Sequence, residues 1–77
     1  MNWKLDTNSL YIWRIEGTPF GVEKVDTAYY LPFRMWGNAR VYVTAFNKEL
    51  SFRSRREAMA YTEKAVRIYQ GAVIEAL

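Results

Sequence analysis

The sequence predicts an α+β fold, in which a small antiparallel sheet of three to four strands packs against one C-terminal helix. Within about residues 10–53, short runs rich in β-branched and aromatic residues alternate with Gly, Pro and Asn turn signals. A helix-capping sequence stands at 54–57, and apolar residues at helical spacing follow it. No linker rich in Pro, Gly or Ser divides the 77 residues. We therefore expect residues 1–77 to form one domain, with a helix over about 55–74.

The N-terminal half is expected to supply the first strands. Leu10–Glu16 is rich in β-branched and aromatic residues and carries apolar groups on both faces, which is typical of a central strand. Residues 17–21 (GTPFG) form a turn signal. Val22–Tyr30 predicts a second strand, and Leu31-Pro32 is expected to end it, because proline cannot donate a hydrogen bond to a sheet.

A hairpin is predicted next. Ala39–Phe46 alternates apolar and polar side chains, and Glu49–Arg53 is expected to return beside it. Asn47-Lys48 is the expected two-residue turn, since Asn tolerates a positive φ. This arrangement gives a wet face with arginine and tyrosine, and a dry face made of Val41, Val43, Leu50 and Phe52.

The C-terminal helix has a clear start signal. Ser54 and Glu57 form a capping box, in which the serine accepts a hydrogen bond from a free amide of the first turn. The stripe expected to face the sheet consists of Ala58, Tyr61, Thr62, Ala65, Ile68, Tyr69 and Ala72. The solvent side is marked by Glu57, Lys64 and Arg67.

The composition argues against an enzyme. The chain has no Cys and no His, so disulfides, zinc sites built from Cys or His, and His-activated nucleophiles are all excluded. Glu23 and Asp26 are expected to be solvated strand charges. No glycine-rich phosphate loop is present, because Gly17 and Gly21 flank a Pro-Phe turn and lack the Lys-Ser ending of a nucleotide-binding loop. We expect no catalytic residue, no metal and no cofactor.

Charge and hydropathy limit the partners. No apolar run approaches the roughly 18 residues of a membrane span, and the polar segment 1–9 does not read as a signal peptide. We therefore expect a cytoplasmic protein that does not bind membranes. Eleven Lys and Arg against eight Asp and Glu give a net charge of +3, which permits nucleic-acid binding without requiring it.

Two groups of residues are candidates for partner binding. The segment 29–36 (YYLPFRMW) concentrates the residue types found at protein-interface hot spots. Arginines around the hairpin and the helix start could bind phosphate or an acidic surface. The competing interpretations are an ordinary solvated surface and aromatic rings that cover one end of the sheet. The candidate contact residues are Tyr30, Phe33, Arg34, Trp36, Arg40, Tyr42, Arg53, Arg55 and Arg56.

Part of the chain resembles small DNA-binding domains of the sheet-plus-helix type. The residues that carry the resemblance are Arg34, Trp36-Gly37, the strand Val41–Phe46, and Phe52, Ser54, Glu57, Ala58 and Tyr61 in the pattern F-x-S-x-x-E-A-x-x-Y. The arm-site-binding domain of phage integrases and the plant ethylene-response-factor type share this layout. The resemblance implies that the sheet face enters the major groove, with Arg40, Tyr42 and Arg53 as readers.

The expected function is non-enzymatic binding through stoichiometric protein–protein contact. Small, cysteine-poor, aromatic-rich chains are similar in class to accessory proteins of phages and mobile elements, many of which inhibit a host enzyme or defence complex. Two alternatives stay open. One is a nucleic-acid-binding module that uses Arg40, Tyr42, Arg53, Arg55 and Arg56. The other is a homodimer whose aromatic segment completes its own core.

Overall fold

The computed structural model describes residues 1–6 and 10–76, except for the side chains of 69–76. It confirms the α+β class. The elements are β1 (Trp3–Leu5), β2 (Ile12–Ile15), β3 (Phe20–Val25), β4 (Tyr29–Trp36), β5 (Ala39–Tyr42), β6 (Thr44–Ala45), β7 (Lys48–Glu49) and α1 (Arg55–Ala76).

Strands β1 to β5 form one antiparallel sheet in sequence order, and β6 and β7 form a separate two-stranded ribbon. The helix packs against β3 and β4. The sheet thus has five strands, whereas the sequence predicted three to four. The two strands that were not foreseen as such are β1 and β4. Trp3 in β1 packs against the core, and its indole Nε1 donates a hydrogen bond of 2.7 Å to Glu63 Oε2 on the helix.

The single strand predicted over Val22–Tyr30 is wrong, because a hairpin turn at residues 26–28 divides it into β3 and the start of β4. Asp26 makes the turn with a φ of 53°. Asp adopts this left-handed conformation more readily than most residues, since its short polar side chain can bond locally. Two paired strands therefore replace one long strand.

Pro32 does not end a strand, contrary to the prediction, but lies buried inside β4 opposite Val22. Its carbonyl accepts a hydrogen bond of 3.1 Å from the Val43 amide, so its missing N–H falls on the same side. At that point β5 has just ended, and the Val43 carbonyl accepts a 2.8 Å bond from the Leu50 amide instead. Because the Val43 carbonyl already accepts a bond from Leu50, it does not need the N–H that Pro32 lacks, and the strand tolerates the proline.

The turn of the hairpin predicted after Ala39 lies one residue earlier than predicted. Phe46 and Asn47 are its two central residues, with φ of 54° and 65°, as in a type I′ turn. The predicted dry face fails at Val41, which is 54% exposed because the helix packs on β3 and β4, whereas β5 is the edge strand. Phe52 bridges to Tyr30 of β4, and its ring lies 5.5 Å from that of Tyr61 on the helix.

The predicted helix cap is confirmed, since the Ser54 hydroxyl accepts a bond of 3.4 Å from the Glu57 amide and the helix begins at Arg55. Residues Ala58 and Thr62 of the predicted stripe are buried, together with Val66, which the prediction did not include. Ile68 is 69% exposed, so its assignment to the buried stripe is wrong. The remaining outcomes are that Tyr61 and Ala65 are half-buried, that Glu57, Lys64 and Arg67 are exposed as predicted, and that the side chains of Tyr69 and Ala72 lie outside the described residues.

The sheet buries apolar side chains on both faces. On the helix-side face, which carries Trp3, Ile15, Phe20 and Val22, the helix contributes Val66 to the core. Strand alternation places another set on the opposite face, here called the far face: Ile12, Leu31 and Phe33. Leu10–Glu16 was predicted to carry apolar groups on both faces, and β2 does so through Ile15 on one face and Ile12 on the other.

Candidate functional site

An exposed apolar and cationic patch lies where β4 ends and β5 begins. Trp36 is 69% exposed, and Val41 on the neighbouring strand is 54% exposed. Arg34 pairs directly with Val41, and strand alternation places all three side chains on the helix-side face. The name Trp36 patch is used below for these three residues, Arg34, Trp36 and Val41.

A cation–π contact organises the Trp36 patch. The Arg34 guanidinium lies 5.2 Å from the centre of the Trp36 ring. Such a contact is worth about 0.5–1 kcal/mol at an exposed site, and it restricts the rotamers of both side chains. A binding surface whose side chains are already restricted loses less entropy when a partner binds. Trp and Arg are also the residue types most enriched at interface hot spots.

A second group lies on the far face and is centred on Glu23. The Tyr42 hydroxyl donates a hydrogen bond to Glu23 Oε1, and Arg40 Nε lies 3.5 Å from the same oxygen. The neutral Tyr42 phenol donates a hydrogen bond to Glu23, and this bond raises the pKa of Tyr42. Burial and the negative charge of Glu23 raise the pKa further, whereas Arg40 lowers it. The Tyr42 hydroxyl and Arg40 Nε thus contact the same carboxylate within the chain.

A third group surrounds the start of the helix. The Arg55 guanidinium lies 5.0 Å from the centre of the Trp13 ring, and the Tyr30 ring lies 6.1 Å from that of Trp13. Tyr30, Arg55 and Arg56 line one open depression on this side. Trp13, Tyr30, Arg55 and Arg56 are called the helix-start cluster below.

The nine predicted contact residues therefore do not form one surface. Arg34 and Trp36 lie in the Trp36 patch, Tyr30, Arg55 and Arg56 in the helix-start cluster, and Arg40 and Tyr42 in the Glu23 group. Arg53 is exposed. Phe33 is fully buried on the far face, with 0% of its surface exposed, so it cannot contact a partner while the chain is folded.

Val41 and Phe46 are exposed apolar residues that were not among the predicted contacts. Val41 was assigned to a dry face, and Phe46 was placed in the strand before the hairpin turn. Phe46 is 100% exposed and stands at the tip of the β6–β7 ribbon. The alternation of the strand runs through Phe46 without a break. A turn centred on Phe46-Asn47 rather than Asn47-Lys48 would have identified it from the sequence.

Residues 1–6 and 10–76 contain no group of three or more Asp or Glu placed to hold a metal ion. Within the same ranges, no helix is both long and apolar enough to cross a lipid bilayer. Comparison with protein family models, curated proteins and solved structures finds no match to this chain. Its function is therefore inferred from the geometry and chemistry of the three groups.

Proposed function

We propose that this chain is a non-enzymatic binding protein that acts by stoichiometric contact with a protein partner through the Trp36 patch. The observation that carries the proposal is the 69% exposure of Trp36 on a regular strand, with the Arg34 guanidinium in cation–π contact with its ring. An exposed Trp leaves a large apolar area in water, and burying it against a partner recovers that free energy.

The architecture around the patch suits such contact. Trp36 and Val41 project from paired strands of one sheet, so the backbone beneath them is held by the strand ladder rather than by a loop. Binding side chains on regular strands keep their positions better than side chains on loops. The finer class that we propose rests on the resemblance in size and composition instead: a cytoplasmic accessory or inhibitor protein of the phage or mobile-element type, which blocks a surface of its target by occupying it.

A matched pair of substitutions tests the proposal. The immobilised chain is used to capture proteins from a cell lysate, and each captured protein is then purified and titrated. Trp36→Ala is expected to weaken binding of the true partner by about 30-fold or more, as for a hot-spot residue worth at least about 2 kcal/mol. Ile68→Ala is the control, because Ile68 has the same exposed fraction, 69%, on the helix. It should leave the affinity unchanged.

Two outcomes of this experiment would contradict the proposal. If every protein held by the wild-type chain binds Trp36→Ala with undiminished affinity, the Trp36 patch is not the contact surface. If Trp36→Ala and Ile68→Ala weaken capture equally, the contact is a general apolar attraction rather than a site. Circular dichroism melting of each variant separates lost binding from lost folding.

Nucleic-acid binding is the second candidate, and the helix-start cluster favours it. Arg55 and Arg56 are exposed, and two aromatic rings lie beside them. Arginines commonly bind the phosphates of nucleic acids, and aromatic rings stack on their bases. The resemblance to integrase arm-type domains assigned the reading of bases to Arg40, Tyr42 and Arg53. Arg53 is exposed, but Arg40 and Tyr42 both contact Glu23, so support for this candidate comes from the helix start instead.

Fluorescence anisotropy of labelled duplex DNA, titrated with the chain at increasing salt, tests the second candidate. If Arg55 and Arg56 each contact a phosphate, the double variant Arg55→Ala/Arg56→Ala is expected to lower the slope of log K against log salt by about 2. Lys64→Ala/Arg67→Ala is the control, because it removes the same charge from the exposed side of the same helix. Equal slopes for the two double variants, or no binding at low salt, would exclude the site.

A further inference from the structure

The backbone hydrogen bonds of β4 show which of its residues turn their amides and carbonyls toward β5. The Met35 amide donates a 2.7 Å bond to the Pro19 carbonyl, so the backbone groups of Met35 point toward β3. N–H and C=O groups of successive residues in a strand point to alternate sides. The backbone groups of Arg34 and Trp36, which precede and follow Met35, therefore point toward β5.

The alternation leaves a free row of hydrogen-bonding groups on β5. Ala39 and Val41 lie opposite Trp36 and Arg34, so their backbone groups point inward to β4. Arg40 and Tyr42 then turn their amides and carbonyls outward. In the described part of the chain, β5 is the edge of the sheet and no strand pairs with its outer side. Such an edge is a template for another strand.

We infer that a second copy of this chain pairs antiparallel with the β5 edge, about a two-fold axis that passes through Val41. The pairing sets the outward groups of Arg40 against those of Tyr42 of the second copy, and the reverse, which gives two reciprocal hydrogen-bonded pairs. The two copies of Val41 then face each other across the axis, where side chains of opposed strands are in contact. The two sheets become one continuous sheet.

Charge and hydrogen-bond direction select this register over its neighbours. A hydrogen-bonded pair forms only where the backbone groups of both opposed residues point outward. An axis between two adjacent residues would oppose an outward residue to an inward one, so it is excluded. An axis through Arg40 would oppose two arginines, and like charges directly opposite each other are destabilising. An axis through Tyr42 needs the edge to continue to Thr44, but the Val43 carbonyl has already turned to bond Leu50. The Val41 axis instead places each arginine beside a tyrosine ring, which attracts a cation.

In this register the charge on the edge does not oppose pairing. A charged side chain normally discourages a second strand, but Arg40 lies 3.5 Å from the Glu23 carboxylate and stands opposite a tyrosine of the second copy rather than opposite another arginine. On the helix-side face the pairing would cover Val41 and reach toward Trp36. The inference rests on the proposed function, because it names a second copy of this chain as a partner of the Trp36 patch. A four-residue strand gives a small contact, so the dimer is expected to be weak and concentration-dependent.

A charge exchange at the axis tests the inference by sedimentation equilibrium of the full chain. The wild-type mass is expected to rise with concentration from that of one chain toward that of two. Val41→Lys and Val41→Glu should each stay at the mass of one chain, because each places like charges face to face. An equimolar mixture of the two variants should recover the two-chain mass. Ile68→Lys, which puts a charge on the exposed helix, is the control and should associate like the wild type.

Three results would overturn the inference. They are a wild-type mass that stays at one chain at every concentration, a Val41→Lys variant that associates like the wild type, and a mixture that does not recover the two-chain mass. If a synthetic extended peptide pairs with β5 while copies of the chain do not, the edge takes a foreign strand instead. Loss of capture by Trp36→Ala in the presence of any of these results would leave the proposed function standing without the dimer.

Discussion

Gly21→Ala is expected to lower the free energy of unfolding by about 3 kcal/mol, the upper end of what an overpacked site costs. A methyl group at Gly21 would lie 2.5 Å from Phe33 Cζ and 2.6 Å from the Trp13 carbonyl oxygen. The Phe33 ring is fully buried, and the Trp13 oxygen belongs to the backbone of the paired strand β2, so neither can move away at low cost. A chain of 77 residues has roughly 4–11 kcal/mol to lose.

Urea unfolding of two alanine variants measures this effect. Gly37→Ala is the control, because Gly37 has a φ of 61° and, apart from its chain neighbours, no atom of the described residues lies within 4 Å of the added methyl group. Its cost is the conformational one alone, about 1–2 kcal/mol. Gly21→Ala/Phe33→Leu is expected to regain only part of the loss, since the Trp13 oxygen stays in place. A Gly21→Ala variant as stable as Gly37→Ala would mean that Phe33 does not lie against Gly21.

The sequence was sufficient for the helix because its signals are local. The Ser54 hydroxyl bonds the Glu57 amide three residues away, and helical spacing sets which side chains share a face. Within the described part of the helix, the prediction placed Ile68 in the buried stripe and left out Val66. Helical spacing defines a stripe about 100° wide, so residues at its two margins are easily exchanged. The class of the fold follows from these elements and from the short apolar runs before them.

The strands were harder to predict because their limits depend on distant partners. Proline is excluded from a strand only when a neighbour needs its N–H, and at Pro32 that neighbour, Val43, bonds Leu50 instead. This arrangement involves three segments of the chain, so no local pattern reveals it. The same holds for β1, whose Trp3 is held by Glu63 across sixty residues of sequence.

The candidate site was predicted in its residue types but not in its grouping. Phe33 and Trp36 stand three residues apart in one strand, and alternation alone sends them to opposite faces. Their burial then depends on where the helix lies, and it covers the middle of the sheet but not the end that carries Trp36. The partnership of Arg40 and Tyr42 with Glu23 needs the register between β3, β4 and β5, which the sequence does not reveal.

Phe46→Asn is expected to raise the free energy of unfolding by about 1 kcal/mol, which for a domain of this size raises Tm by roughly 4–8 °C. Phe46 holds a φ of 54°, a left-handed conformation that costs most L-residues about 1–2 kcal/mol and that Asn adopts far more readily. Its side chain is 100% exposed, so the folded chain loses no packing when the ring is removed.

Phe46→Ala separates the backbone from the ring in the same thermal melt. Alanine keeps the Cβ atom and therefore the left-handed cost, so its Tm should stay near that of the wild type while Phe46→Asn melts higher. Equal Tm values for the two variants would show that the turn is not strained. The Phe46 side chain is fully exposed in the described part of the chain, so the proposed protein partner would give it a contact. If the β6–β7 tip contacts the protein that binds the Trp36 patch, both variants should weaken that binding, including the more stable one.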